Sequence, residues 1–281
     1  MSLRTEFRTT LDDARLAAVR DLVATAPDAA DNPPISEQGM LRLAEPGRHL
    51  IAERDGRLAG YAQLDEGPEP AAELVATDAE VAGALLAELP AGFRLWAHGE
   101  HSVAAEAARQ AGLSPSRTLL QLRTPLAELP PAELPAGVTI SAFRPGVDDQ
   151  AWLAVNARAF ASHPEQGSWT EHELAQRLAA GWFDPAGFLL AWRDGTLLGY
   201  HWTKVHADLR PPLGEVYVLG VDPAAQGMRL GGALLTAGLR HLHSLGLTGV
   251  LLYVEQDNAP AVRLYQKAGF STFATDLQYR G

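Results

Sequence analysis

Two near-copies of one hairpin, 139 residues apart, constrain this chain more than any other feature. Residues 50–61 read LIAERDGRLAGY, and residues 189–200 read LLAWRDGTLLGY. In each, an Asp-Gly pair separates two strand-like runs, the signal of a tight type I′ turn, in which both turn residues take positive φ. A second pair of landmarks recurs at a spacing of 157 residues: AGLS at 111–114 with QLR at 121–123, then AGFS at 268–271 with QYR at 278–280. Such recurrence reads as an internal duplication. Between these landmarks the second copy is longer by 18 residues, and they should hold whatever the first copy lacks.

The segment PLAELPPAELPAG, residues 125–137, puts four prolines in eleven residues and opposes both helix and ladder pairing. It reads as an extended, stiff linker. By chain order this gives a first domain over residues 1–124 and a second over 138–281, and a length of 281 residues suits two modest cores. The absence of Cys excludes a disulfide framework, a cysteine zinc site and a thiol nucleophile. With 34 acidic against 23 basic side chains, a net charge of −11 and no basic stripe, nucleic acid is not an expected partner.

The N-terminus MSLRTEFRTTLDDAR lacks the apolar core of a signal peptide, and no apolar run approaches the ~20 residues of a membrane span. A cytoplasmic protein without a membrane partner is expected. Nor do the nine histidines suggest a metal. His241 and His243 are two apart on a helix and do not share a face. His98 and His101 have no carboxylate neighbour in sequence beyond Glu100.

In the second half the pattern predicts a strand over residues 138–143, helices within 148–161 and 171–180, and the hairpin at Asp194-Gly195. A strand over 215–221, a helix over 230–245, a strand over 249–254, a helix over 258–268 and a last strand over 274–279 follow. An early hairpin and late alternation of strand and helix predict an α/β (α+β) fold with a mixed, mostly antiparallel sheet in each domain, flanked by helices.

The sharpest local signal is GVDPAAQGMRLGG at 220–232, a buried strand running through a glycine-rich turn into a helix. Free backbone N–H groups and the positive dipole end at such a helix start suit an anion. The same residues also suit a tight turn with glycines for packing. No Gly-Lys-Ser/Thr follows, so it is not a P-loop. The second signal, LLYVEQDNAPAVRLYQKAGF at 251–270, offers Asn258 as N-cap, Pro260 in the first turn and Gly269 as the C-terminal stop. Val262 and Tyr265 share a helix face, where a tyrosine is either a core aromatic or a functional phenol.

Taken together, VDP…Q-x-x-x-x-G followed by N-x-x-A-x-x-x-Y-x-x-x-G-F resembles the cofactor core of GNAT-type N-acetyltransferases. With AFASHPEQG at 159–167, GYHWTKVH at 199–206 and GEVYVLGVDP at 214–223, the chain resembles the mycothiol synthase family, whose members are two fused GNAT units. The resemblance covers nearly all of residues 4–281 and is strongest from Val155 onward. It implies that Leu219, Gly220 and Val221 bind the acetyl and pantetheine part of acetyl-CoA. Gln226, Gly227, Met228, Arg229, Leu230, Gly231 and Gly232 would cradle the pyrophosphate, and Asn258, Ala259, Pro260, Ala261, Val262 and Arg263 would flank the cofactor. A strand splayed open after Val221 would leave N–H groups for the pantetheine arm. The family pattern has Gly where this chain has Arg229, whose Cβ could crowd the phosphates or whose guanidinium could pair with them.

By the same resemblance Glu215 is the general base, Tyr265 protonates the departing thiolate, and an amide near Leu219 faces the oxyanion. On the residues alone Glu215 also reads as a strand-edge carboxylate. Glu37, Glu165, Lys204, Glu215 and Tyr253 match positions that contact the acceptor, a small-molecule amine, cysteinyl-glucosaminyl-inositol, whose acetylation gives mycothiol. Direct transfer in a ternary complex, in a monomer, is expected. Alternatives are a GNAT enzyme for another amine, such as an aminoglycoside or a protein N-terminus, or a non-catalytic acyl-CoA sensor. At the 157-residue spacing Tyr265 falls on Ala108 and Asn258 on His101, and residues 73–83 lack the glycine turn. The first domain is therefore expected neither to bind acetyl-CoA productively nor to catalyse, but to complete the acceptor pocket.

Overall fold

A computed structural model describes residues 2–27, 32–65, 70–161 and 166–280. In chain order the first elements are β1 (Leu3–Arg8), α1 (Asp13–Thr25), α2 (Glu37–Arg42), β2 (Arg48–Arg54), β3 (Arg57–Asp65), β4 (Ala71–Ala76), α3 (Ala79–Ala87), β5 (Arg94–Ala97), α4 (Val103–Gln110) and β6 (Ser114–Pro125). There follow β7 (Thr139–Ala142), α5 (Asp149–Ala159), α6 (Glu171–Leu178), β8 (Phe188–Arg193), β9 (Thr196–His206), β10 (Leu213–Val221), α7 (Leu230–Ser244), β11 (Gly249–Glu255), α8 (Ala259–Lys267) and β12 (Ser271–Arg280). Among the described residues no helix is long and apolar enough to cross a membrane.

The chain packs as two compact units. One comprises Met1–Gln121, Val254–Ala259 and Thr272–Gly281; the other comprises Leu122–Tyr253 and Pro260–Ser271. Chain order and packing thus divide the molecule differently, because the last strand, β12, belongs to the first unit. There it pairs antiparallel with β5 from Leu277↔Ala97 to Arg280↔Arg94. Tyr279 of β12 sits in a core with Leu74, Val81, Leu85 and Leu95. A four-residue β5 would otherwise present an unpaired edge.

Each unit repeats one strand pattern. In the first, β1, β2, β3 and β4 pair antiparallel in sequence, and β4 then pairs parallel with β5. In the second, β7, β8, β9 and β10 do the same, and β10 pairs parallel with β11. The two hairpins match in detail. Asp55 and Gly56 have φ of 51° and 77°, Asp194 and Gly195 have 51° and 75°, and the ladders slip at Ala52/Glu53 and at Ala191/Trp192. The Asp-Gly pairs therefore form the positive-φ turns that their residue types favour.

In the second unit α7 covers one sheet face closely enough that a Cβ on Gly238 would lie 2.1 Å from the ring of His201. The opposite face of this unit carries an aromatic core of Trp152, Phe188, Tyr200 and Trp202, all fully buried. Phe188 stacks on Trp202 with centroids 4.2 Å apart, and Trp152 meets both rings edge-on. Aromatic alternation along β8 and β9 builds this layer, since every second residue of a strand points to the same side.

Candidate active site

The centre of the site is an irregularity in β10. Its antiparallel register with β9 runs Glu215↔Lys204 and Val216↔Thr203, then resumes at Val218↔Trp202, so Tyr217 is an extra residue, a β-bulge. The parallel ladder with β11 covers only Gly214↔Val250 to Val216↔Leu252, while β10 runs on to Val221. The strand therefore parts from β11 at Tyr217, earlier than the expected opening after Val221. The bulge causes the shift, because the added residue bends β10 before its end. In the first unit β3 and β4 pair without a slip from Gly60↔Ala76 to Asp65↔Ala71.

Glu215 stands two residues before that bulge. Lys204 is directly opposite it and His206 is diagonal to it on β9, so all three project from one face, and the parallel register puts Tyr253 of β11 on that face too. Glu215 and Lys204 are both buried. His206 Nε2 lies 2.7 Å from Glu215 Oε2. Lys204 Nζ sits 4.8 Å from the Trp182 centroid and 5.5 Å from that of Tyr217, which suits a buried cation. Arg177 donates through Nε to the Tyr217 hydroxyl at 2.8 Å and stacks 3.8 Å above Trp169, pinning the bulge residue. His206, Tyr217 and Arg177 were not singled out by the sequence. The alternation of GYHWTKVH places His206 on the face of Lys204, but only the register adds Glu215.

Beyond Val221 the chain turns through Asp222, whose backbone N–H donates to the Leu198 carbonyl at 2.8 Å. Burial alone would raise the Asp222 carboxyl. The Ala224 N–H and the Arg158 guanidinium outweigh it and hold the group below the usual carboxylate range. Gly227 has φ of 82° and Arg229 has φ of 61° and ψ of 17°, both left-handed. Arg229 is exposed and makes no side-chain cap for α7, so the first N–H groups of that helix are left to another acceptor. Gly231 and Gly232 follow in its first turn, where an added Cβ would meet only leucine and valine methyls at ordinary contact distance.

Tyr265 of α8 is 6 % exposed and packs edge-on against Phe270 at 5.8 Å. Burial pushes its phenol up to about 12. Pro260, Ala261, Val262 and Arg263 lie in the first turns of the same helix, directly after Asn258 and Ala259. Glu37 opens α2 in the first unit, next to the N-cap Ser36. Glu165 lies outside the described residues. Among the described residues no group of three or more His, Asp and Glu side chains is arranged to hold a metal ion.

Residues 153–270 match the model of the acetyltransferase (GNAT) family. A mycothiol acetyltransferase of Streptomyces avermitilis is 51 % identical over 96 % of this chain and 92 % of its own, and one of Thermobispora bispora is 47 % identical over the whole of both chains. The chain belongs to the mycothiol acetyltransferase family. Among solved structures, a GCN5-related N-acetyltransferase from Sphaerobacter thermophilus has the same fold, with a TM-score of 0.71 at 23 % identity, covering 99 % of this chain and 95 % of that one. A tandem GNAT protein from the clavulanic acid biosynthesis pathway gives 0.69 at 18 % identity, over 100 % and 98 %.

This member of the mycothiol acetyltransferase family treats its two units unequally. In the first, the Thr77 N–H donates to the Ala59 carbonyl, the counterpart of the Asp222 bond to Leu198, and α3 begins two residues later. No glycine turn intervenes, and the Asp78 carboxylate caps that helix and pairs with Arg54 at 2.6 Å. A helix start already holding a carboxylate repels a phosphate. Ala108 stands fully buried where the second unit has Tyr265.

In sequence His98 has no carboxylate neighbour beyond Glu100. The fold corrects this, setting His98 Nδ1 3.0 Å from Asp276 Oδ2 and Nε2 3.4 Å from Glu73 Oε1, since those partners arrive on β12 and β4. Burial would lower this imidazole, but the Asp276 and Glu73 carboxylates outweigh it and raise it to about 10. Beside it the first unit opens a cavity of about 520 Å³, lined by Leu74, Val75 and Ala76, His98 and the start of α4.

Proposed function

We propose that the second unit transfers the acetyl group of acetyl-CoA directly to the cysteinyl amine of cysteinyl-glucosaminyl-inositol, giving mycothiol. The observation that carries this reading is the position of Glu215, a buried carboxylate two residues before Tyr217, where β10 leaves β11. An acyl-pantetheine arm lying along the released edge, Tyr217 to Val221, would find main-chain N–H groups there. Its diphosphate would take the uncapped start of α7 at residues 226–232, with Asn258 to Arg263 flanking the cofactor.

Glu215 is the general base that frees the attacking amine, and a main-chain amide near Leu219 stabilises the tetrahedral oxyanion. Tyr265 delivers a proton to the departing sulfur; its buried phenol remains protonated through the working pH range. Holding amine and thioester together supplies much of the rate advantage. Lys204 and Tyr253 share the face of Glu215 and contact the acceptor. The first unit, with Ala108 in place of a phenol and a self-capped α3, performs no transfer.

Incubating the full chain with acetyl-CoA and cysteinyl-glucosaminyl-inositol tests the reading. The expected result is one N-acetyl group on the product by mass and one free thiol of coenzyme A per turnover. Release of thiol with other small amines but none with this acceptor would overturn it.

A further inference from the structure

The acetyl transfer carries a proton account that Glu215 cannot close alone. The acceptor arrives as an ammonium with three protons on nitrogen and leaves as an amide with one. As the new C–N bond forms and the C–S bond breaks, one of the two released protons is matched by the proton that Tyr265 gives to sulfur. The other must reach solvent. Glu215 can store a single proton, its side chain is 8 % exposed, and Lys204 stands directly across the ladder from it. A carboxylic acid this buried has little water beside it into which to discharge before the second proton comes off the tetrahedral intermediate.

His206 completes the path. Its Nε2 is 2.7 Å from Glu215 Oε2, a distance at which one proton passes between two heavy atoms. Its side chain is 24 % exposed, three times as open as that of Glu215. It lies at the end of β9, where the sheet gives way to the turn at 207–208. The register, rather than chance rotamers, sets this contact, because Leu213↔His206 and Glu215↔Lys204 are successive same-face pairs and make His206 and Glu215 diagonal neighbours.

We propose that His206 is the positioning and proton-relay partner of Glu215. Glu215 takes a proton from the ammonium and becomes a carboxylic acid. That acid passes the proton to Nε2 of the neutral imidazole, giving imidazolium and restoring the carboxylate. The imidazolium releases it to water; Glu215 then takes the second proton, which leaves by the same path while one proton returns from solvent to the Tyr265 phenolate, so that one proton is released in all. No oxidant, metal or further reactant enters, and imidazole is the side chain best suited to taking and releasing a proton near neutral pH. The contact also holds the Glu215 carboxyl group on the face that it shares with Lys204.

This inference rests on Glu215 being the base, and the experiment separates the two. The full chain is assayed with acetyl-CoA and the cysteinyl pseudodisaccharide as wild type, Glu215→Gln, His206→Gln and His206→Ala, with acetyl-CoA affinity measured for each by calorimetry. The expected result is loss of turnover in Glu215→Gln and a roughly 10- to 100-fold lower kcat in both His206 variants. KM for the amine and Kd for acetyl-CoA should remain within about twofold. Added imidazole should restore His206→Ala in proportion to its neutral form. Full activity of Glu215→Gln would remove the base assignment itself. An inactive Glu215→Gln beside a His206→Gln of near wild-type kcat, or a His206→Ala that imidazole does not rescue, would overturn the relay alone.

Discussion

His98 Nδ1 and Asp276 Oδ2 lie 3.0 Å apart although 178 positions separate them in the chain, so one buried ion pair ties β12 to the loop after β5. Asp276 also accepts from Asn32 Nδ2 at 2.7 Å and the Gly99 N–H at 2.8 Å, and Glu73 accepts from the Ser36 N–H and hydroxyl. Replacing His98 by Asn removes the imidazole that lies between the Asp276 and Glu73 carboxylates. The expected loss is about 3–5 kcal/mol of stability in the first unit. Urea unfolding followed by Trp96 fluorescence in a chain whose other tryptophans are replaced by Phe checks it; a loss under about 1 kcal/mol would contradict the geometry.

The same cluster sets a pH dependence. His98 is raised from 6.5 to about 10, so it binds its proton more tightly when folded. Its contribution is complete below pH 6.5 and declines as pH rises through about 10. Burial works against Glu73 and Asp276, but hydrogen bonds led by His98 hold both below their ordinary values, so their contribution is present above the carboxylate range and lost in acid. Tm should fall between pH 7 and 10 more steeply in the wild type than in His98→Asn. Parallel slopes would refute the assignment.

Arg229 occupies left-handed backbone at φ 61°, a region that favours glycine. Arg229→Gly should raise stability by roughly 0.5–1 kcal/mol, the strain relieved less the added chain entropy. Because the side chain is exposed, acetyl-CoA affinity should change by less than about tenfold. Thermal unfolding and calorimetry read both effects, and a drop in Tm would show that the guanidinium makes a stabilising contact.

A Cβ on Gly220 would meet the Tyr200 ring at 2.7 Å, and that ring is locked by its hydroxyl donating to Asn156 Oδ1 at 2.5 Å. Gly220→Ala should therefore displace β10 at the edge proposed to hold the cofactor, costing about 1–3 kcal/mol and raising KM for acetyl-CoA more than it lowers kcat. Unchanged KM would mean that this edge does not carry the pantetheine arm.

Under the proposed acid role, in which the phenol acts only as sulfur leaves, Tyr265→Phe should lower kcat while leaving KM nearly constant. A buried hydroxyl pushed up to about 12 also predicts no alkaline loss of kcat from this group below pH ~10. Steady-state rates from pH 6 to 10 test both statements, and an unaltered kcat in the variant would dismiss the acid role.

Duplication, the two Asp-Gly turns, the order of strands and helices in the second half and the glycine turn before α7 were all readable from residue types. Each is local: positive φ selects glycine and its small polar relatives, and strand or helix periodicity shows over a few residues. Three features required the folded chain. The bulge at Tyr217, which moves the opening of β10 ahead of Val221, arises from pairing with β9 and β11. The contact of His206 with Glu215 needs the register of β9 on β10, and that of His98 with Asp276 needs β12 to lie beside β5 rather than with the segment that precedes it. Short-range propensity carries no information about which distant strand supplies a hydrogen-bonding partner. Burying Leu277 and Tyr279 and satisfying the edge of β5 decide that in three dimensions.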